Sequence, residues 1–208
     1  MKRTHVWWGL LIFAIVAVVF ASGWRWLHHS NISGETRRLT LPMETRVPVF
    51  MLMDEAGRPF FSDSLSGKVW IADFIFTSCA GTCPQMTAQM QKLQRSLPDQ
   101  VHLVSITVDP ARDTPELLAR YAQKAQANPE RWHFLTGEPA LIRNLVQNSF
   151  LLSVADGGSV QEPIVHSIRF VLVDTQGAIR GYYDGQDAQA VDQLVKDAQM
   201  LARAEEPE

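Results

Sequence analysis

Eight consecutive residues, Val69-Trp70-Ile71-Ala72-Asp73-Phe74-Ile75-Phe76, run almost unbroken in apolar character, and a polar-periodic segment from Met86 to Leu97 follows closely. The first reads as a buried strand and the second as a helix. At the junction lie Cys79-Ala80-Gly81-Thr82-Cys83-Pro84, which hold the chain's only two cysteines. Both thiols therefore crowd a helix N-terminus, where the dipole and the free N–H groups favour the thiolate. Thiolates bind soft metals and attack disulfides. Inert buried thiols and a plain structural disulfide are the competing readings. Adjacency at a helix start outside the cytosol counts against the first. Loop entropy, small for so short a loop, counts against the second.

The N-terminus is expected to direct export of the chain. Met1-Lys2-Arg3 precedes a charge-free, mostly apolar stretch from Thr4 to Trp24, closed by Arg25. About twenty apolar residues at 1.5 Å each span a bilayer core of roughly 30 Å. Trp7, Trp8, Trp24 and Trp26 flank the stretch as interfacial aromatic residues do. Residues 1–27 are therefore expected to be an uncleaved transmembrane helix, with Lys2 and Arg3 keeping the N-terminus cytoplasmic. The alternative is a signal peptide cleaved after Val19-Phe20-Ala21. The expected location is the inner (cytoplasmic) membrane, single-pass, with the C-terminal domain on the extracytoplasmic side.

A polar tether over 28–46 follows, then one domain over 47–201 and a solvated tail over 202–208. About 165 residues suffice for a sizeable core. The net charge of −3, without a basic block beyond the membrane flanks, gives no reason to expect nucleic acid as a partner.

Within the domain, Val49–Met53 and Pro59–Phe61 read as a hairpin about Asp54-Glu55-Ala56-Gly57. After the cysteine helix, which should start near Pro84, Val101–Val108 is a second buried strand. Thr114 caps a helix with Pro115 at its first position, running to about Ala127. Trp132–Leu135 is a short strand, and a helix spans about Pro139 to Asn148. Ser167–Val173 and Ile179–Tyr183 form a hairpin about Asp174-Thr175-Gln176-Gly177, and a last helix runs from about Ala188 to Leu201. Strands alternating with helices and closing in a hairpin predict an α/β domain, a mixed sheet flanked by helices.

These residues carry a resemblance. The strand, cysteine loop and helix, with a terminal hairpin and helix, resemble a thioredoxin-like fold. The finer pattern resembles the Sco/SenC family of copper-binding proteins. Its bearers are Phe76-Thr77-Ser78-Cys79 with Cys83-Pro84, the run Val108-Asp109-Pro110-Ala111-Arg112-Asp113-Thr114-Pro115, and His166 ahead of Phe170-Val171-Leu172-Val173-Asp174. The loop Ala80-Gly81-Thr82 lacks the proline and acidic residues often found there in the family. The resemblance implies copper held by Cys79, Cys83 and His166. It also implies delivery to the dinuclear copper centre of cytochrome c oxidase subunit II, with an upstream copper donor and a thiol reductant as further partners.

Ligand chemistry agrees. Two soft sulfurs and one imidazole suit Cu(I) or Cu(II), whereas structural zinc usually takes four protein ligands and no second cysteine pair exists. A copper-binding assembly factor rather than a turnover enzyme is therefore expected; the alternative function is a membrane-anchored thiol–disulfide oxidoreductase using Cys79 and Cys83 as its redox dithiol. Asp109 and Asp113 could steer copper or a partner, or serve as turn and cap residues. His102, His133, His28 and His29 read as ordinary residues.

Overall fold

The computed structural model describes residues 45–79, 81–152 and 168–204. The expected membrane helix, most of the tether, the looser segment over 153–163, His166 and the last four residues lie outside these. Among the described residues no helix is long and apolar enough to cross a membrane.

The described strands are β1 (Met51–Asp54), β2 (Pro59–Phe61), β3 (Trp70–Ile75), β4 (His102–Thr107), β5 (Trp132–Thr136), β6 (Arg169–Val173) and β7 (Ile179–Asp184). They form one mixed sheet in the order β2-β1-β5-β4-β3-β6-β7. β3, β4 and β5 run parallel, while β6 and β7 are antiparallel on one side and β1 and β2 on the other. The helices are α1 (Thr82–Ser96), α2 (Pro115–Lys124), α3 (Pro139–Asn144) and α4 (Ala188–Ala204).

Every residue of β3 and β4 is buried, as expected of parallel strands covered on both faces. On one face Met86, Met90 and Leu93 of α1, Leu118 of α2 and Leu194 of α4 pack on Ile71, Leu103, Phe134 and Leu172. On the other, Leu52, Phe60, Ile142 and Phe150 pack on Ala72, Phe74, Ile106 and Val171. This is the α/β architecture expected, with the predicted strand–loop–helix unit at its centre.

The differences are at element ends. Thr45 and Arg46, assigned to the tether, join the domain: Arg46 bridges Ala178, and the Ile179 N–H donates to the Thr45 carbonyl. α1 begins at Thr82 rather than Pro84, so Cys83 is already helical. α2 stops at Lys124 because Gln126 adopts φ +51 and the Ala127 N–H reaches back to the Ala122 carbonyl. That is a left-handed helix stop built without the usual glycine. α3 ends at Asn144 and gives way to a wider π turn over Leu145–Ser149. α4 continues to Ala204, since Ala202 is buried in the core.

Candidate metal and dithiol site

β3 delivers its chain to the cysteines at its C-terminal end. The Cys79 N–H donates to the Phe76 carbonyl, closing a tight bend directly after the strand. Gly81 precedes α1 and offers no side-chain cap. The Cys79 sulfur stands in for one, 3.5 Å from the Cys83 N–H, an amide of the first helical turn that would otherwise lack a partner. Both cysteines are free thiols, Cys79 half-buried and Cys83 buried against Phe76.

Their acidities diverge. Burial works against ionisation of Cys79, but hydrogen bonds from the Cys83 amide and thiol and from the Gly81 and Thr82 amides outweigh it, holding this thiol below the usual range. Burial pushes the Cys83 thiol up to about 12, and the sulfur of Cys79 and the carboxyl of Asp73 add to the rise. Of the two thiols, Cys79 is therefore the easier to ionise.

Asp113 fixes the approach to the loop. It is fully buried, and its carboxylate accepts from the Thr77 N–H at 3.0 Å and from the hydroxyls of Thr77 and Thr107 at 2.5 Å each. One carboxylate so joins the ends of β3 and β4 two residues before Cys79. Asp109 turns the chain: its N–H donates to Thr107 Oγ1 and its carboxylate pairs with Arg112, whose side chain is largely exposed. Of the two aspartates, Asp113 is the structural one. The sequence offered it as a steering residue for copper or a partner, or as a turn or cap residue; Thr114 is the cap, accepting from the Leu117 N–H.

Asp73 is a residue that the sequence reading passed over. It lies on β3 opposite Ser105 of β4, is fully buried, and accepts from the Ser105 hydroxyl, which accepts in turn from Trp132 Nε1. Its Oδ2 accepts no hydrogen bond among the described residues. Burial, partly offset by the Ser105 hydrogen bond, pushes its carboxyl up to about 7. The signal was available: a lone carboxylate in an otherwise apolar strand is expensive unless it is partnered or neutral.

His102 and His133 belong elsewhere. His102 lies opposite Trp70 at the start of parallel β4, whereas the cysteines follow the end of β3. Five residues of strand, about 17 Å, separate the two ends. A surface cavity of about 230 Å³ lined by Val49, Leu65 and Trp70 is also near the strand start, away from the thiols. His166 lies outside the described residues. The strand that follows it, β6, runs antiparallel to β3 with Ala72 opposite Val171, so the chain enters β6 at the cysteine end of the sheet.

Comparison with known proteins places this site in context. The SCO1/SenC family model matches residues 40–203. The SCO1 protein homolog of Bacillus subtilis is 32% identical over 160 residues, covering 75% of this chain and 82% of that protein. The solved structure of BsSco, described as a member of the Sco family of cytochrome c oxidase assembly proteins with a disulfide switch, superposes with a TM-score of 0.68. It shares 31% identity, and the match covers 78% of this chain and 96% of that one. Yeast Sco1 with copper bound gives a TM-score of 0.61 at 26% identity, covering 79% and 97%. With its family model matched over most of its length, and the cysteine loop standing where the strand–loop–helix pattern predicts it, this chain belongs to the SCO1/SenC family.

Proposed function

We propose that this chain is a membrane-anchored copper carrier of oxidase assembly, holding copper through Cys79, Cys83 and His166. It passes the ion to the dinuclear copper centre of cytochrome c oxidase subunit II. The observation that carries this reading is the unequal thiol pair at the start of α1. Copper replaces the proton of Cys83 as it binds, so a thiol held protonated when empty becomes a ligand when full. Transfer proceeds by ligand exchange, each donor sulfur giving way to an acceptor sulfur, so the ion is never free in solution. The relatives' copper and oxidase connections support the same assignment. The apolar stretch Thr4–Trp24 supplies the anchor, holding the domain on the extracytoplasmic side beside its acceptor.

The same inequality favours a second reading, a thiol–disulfide oxidoreductase. There the Cys79 thiolate attacks the target disulfide and displaces one target thiolate. Cys83 then loses its proton, attacks Cys79 in the mixed disulfide, and releases the second thiol as the chain is oxidised. A thiol reductant must restore the pair.

Copper loading of the full chain separates the two. One Cu(I) or Cu(II) per chain, lost or weakened at least tenfold in His166→Ala, is the expected result. Metal-free disulfide reduction that needs both thiols and is indifferent to His166→Ala would support the second reading instead.

A further inference from the structure

β1 has two dissimilar faces. Leu52 and Asp54 are buried, while Met51 and Met53 alternate with them and are 55% and 42% exposed. Phe61, directly opposite Met51 on β2, is 54% exposed, and Val49 just ahead of the strand is 72% exposed. Four of the six large apolar side chains left exposed among the described residues are therefore gathered on this one edge. Single exposed apolar residues need no explanation; a contiguous set does.

Two of the four are thioethers. Residues i and i+2 of a strand share a face about 6.7 Å apart. Each methionine has three rotatable bonds, so the two sulfurs can close on one ion without moving the backbone. Thioethers are soft donors that select Cu(I) over Zn(II) and over hard cations. They carry no proton to lose and form no disulfide, so they keep their affinity in an oxidising compartment where free thiols do not. The Phe61 ring beside Met51 can turn its π face to a bound cation and shield it from water.

We propose that Met51 and Met53, backed by Phe61, form a second soft-metal site that takes Cu(I) at the surface. Two strands lie between β1 and β3, so the site is three strand spacings, about 14 Å, from the strand that carries the cysteines. The two cannot share one ion. A role in first collecting copper for the cysteines rests on the function proposed above; the binding itself does not.

The test uses the full chain in detergent, with the first site removed by Cys79→Ser, Cys83→Ser and His166→Ala. Cu(I) is titrated anaerobically, and Ag(I) serves as its surrogate for NMR of methionine ε-methyl groups. The expected result is Cu(I) binding that Met51→Leu with Met53→Leu weakens at least tenfold. Ag(I) should shift the methyls of Met51 and Met53 and leave those of buried Met86 and Met90 in place. Leucine preserves volume and apolarity, so the fold is retained. Unmoved methyls, binding indifferent to the leucines, or an equal response to Zn(II) would overturn the proposal. Should the chain with intact cysteines lose its copper only on the leucine substitutions, the cysteine reading fails and this one stands.

Discussion

Asp113 does for the cysteine loop what a cap does for a helix: it satisfies donors that have no other partner. Hydrogen bonds to a charged acceptor are worth about 1.5–3 kcal/mol each, and burial makes their loss costlier. Asp113→Ala is expected to destabilise the chain by about 3 kcal/mol in urea unfolding. It should also loosen the loop enough to slow copper loading. A cost no greater than that of an exposed substitution would show that the loop holds itself. Cys79 offers a second check. Replacing Cys83 with alanine removes the thiol hydrogen bond that favours the Cys79 thiolate while leaving the backbone donors. The pH at which Cys79 becomes half-alkylated by iodoacetamide should rise in Cys83→Ala. A midpoint that stays put would assign the effect to the backbone amides alone.

The end of α1 is held by a residue from another strand connection. Arg131, buried just before β5, donates to the carbonyls of Gln94, Leu97, Pro98 and Val101 and to the Asp99 carboxylate. Helix C-terminal carbonyls have no intrahelical partner, so this guanidinium replaces water that the packing excludes. Arg131→Met is expected to cost about 3 kcal/mol. Asp99→Ala should change unfolding little, since the Asp99 side chain is 96% exposed and surface ion pairs contribute little. Comparable losses from both would contradict this division. The elements themselves were mostly legible. Apolar runs marked β3 and β4, Thr114 with Pro115 marked the start of α2, and Asp174 with Gly177 marked the last turn. Asp174 accepts from the Gln176 and Ala178 amides there, and Gly177 takes φ +78. The end of α2 was not legible, because Gln126 occupies a left-handed position where glycine is the usual marker.

Across the domain, two buried titratable groups pull stability in opposite directions with pH. Asp73 is raised from an ordinary 3.8 to about 7, chiefly by burial. Its contribution is complete below pH 4 and is lost as pH rises through about 7. Burial lowers His102 from 6.5 to about 4, helped by the nearby charge of Lys68. Its contribution is complete above pH 6.5 and is lost as pH falls through about 4. The two partly cancel between pH 4 and 7. They lie at different places along the sheet and share no hydrogen-bond partner, so their effects should be nearly additive. Asp73→Asn is expected to make the urea midpoint rise more steeply with pH over that window, and His102→Leu to make it fall. Parallel pH profiles for the wild type and both variants would refute the assignment.

The strand, the bend and the helix that set two thiols at a helix start were written locally, in apolar pattern, turn residues and a proline in the first helical turn. Such signals act over a few residues and survive without the rest of the fold. The unequal acidity of the thiols was not written there. It arises from burial, from a sulfur serving as a helix cap, and from the charge of the Asp73 carboxyl. The tie at the entry to the loop comes from Asp113, 36 positions after Thr77. Those energies exist only once distant segments are packed together and water is excluded, which no local pattern encodes.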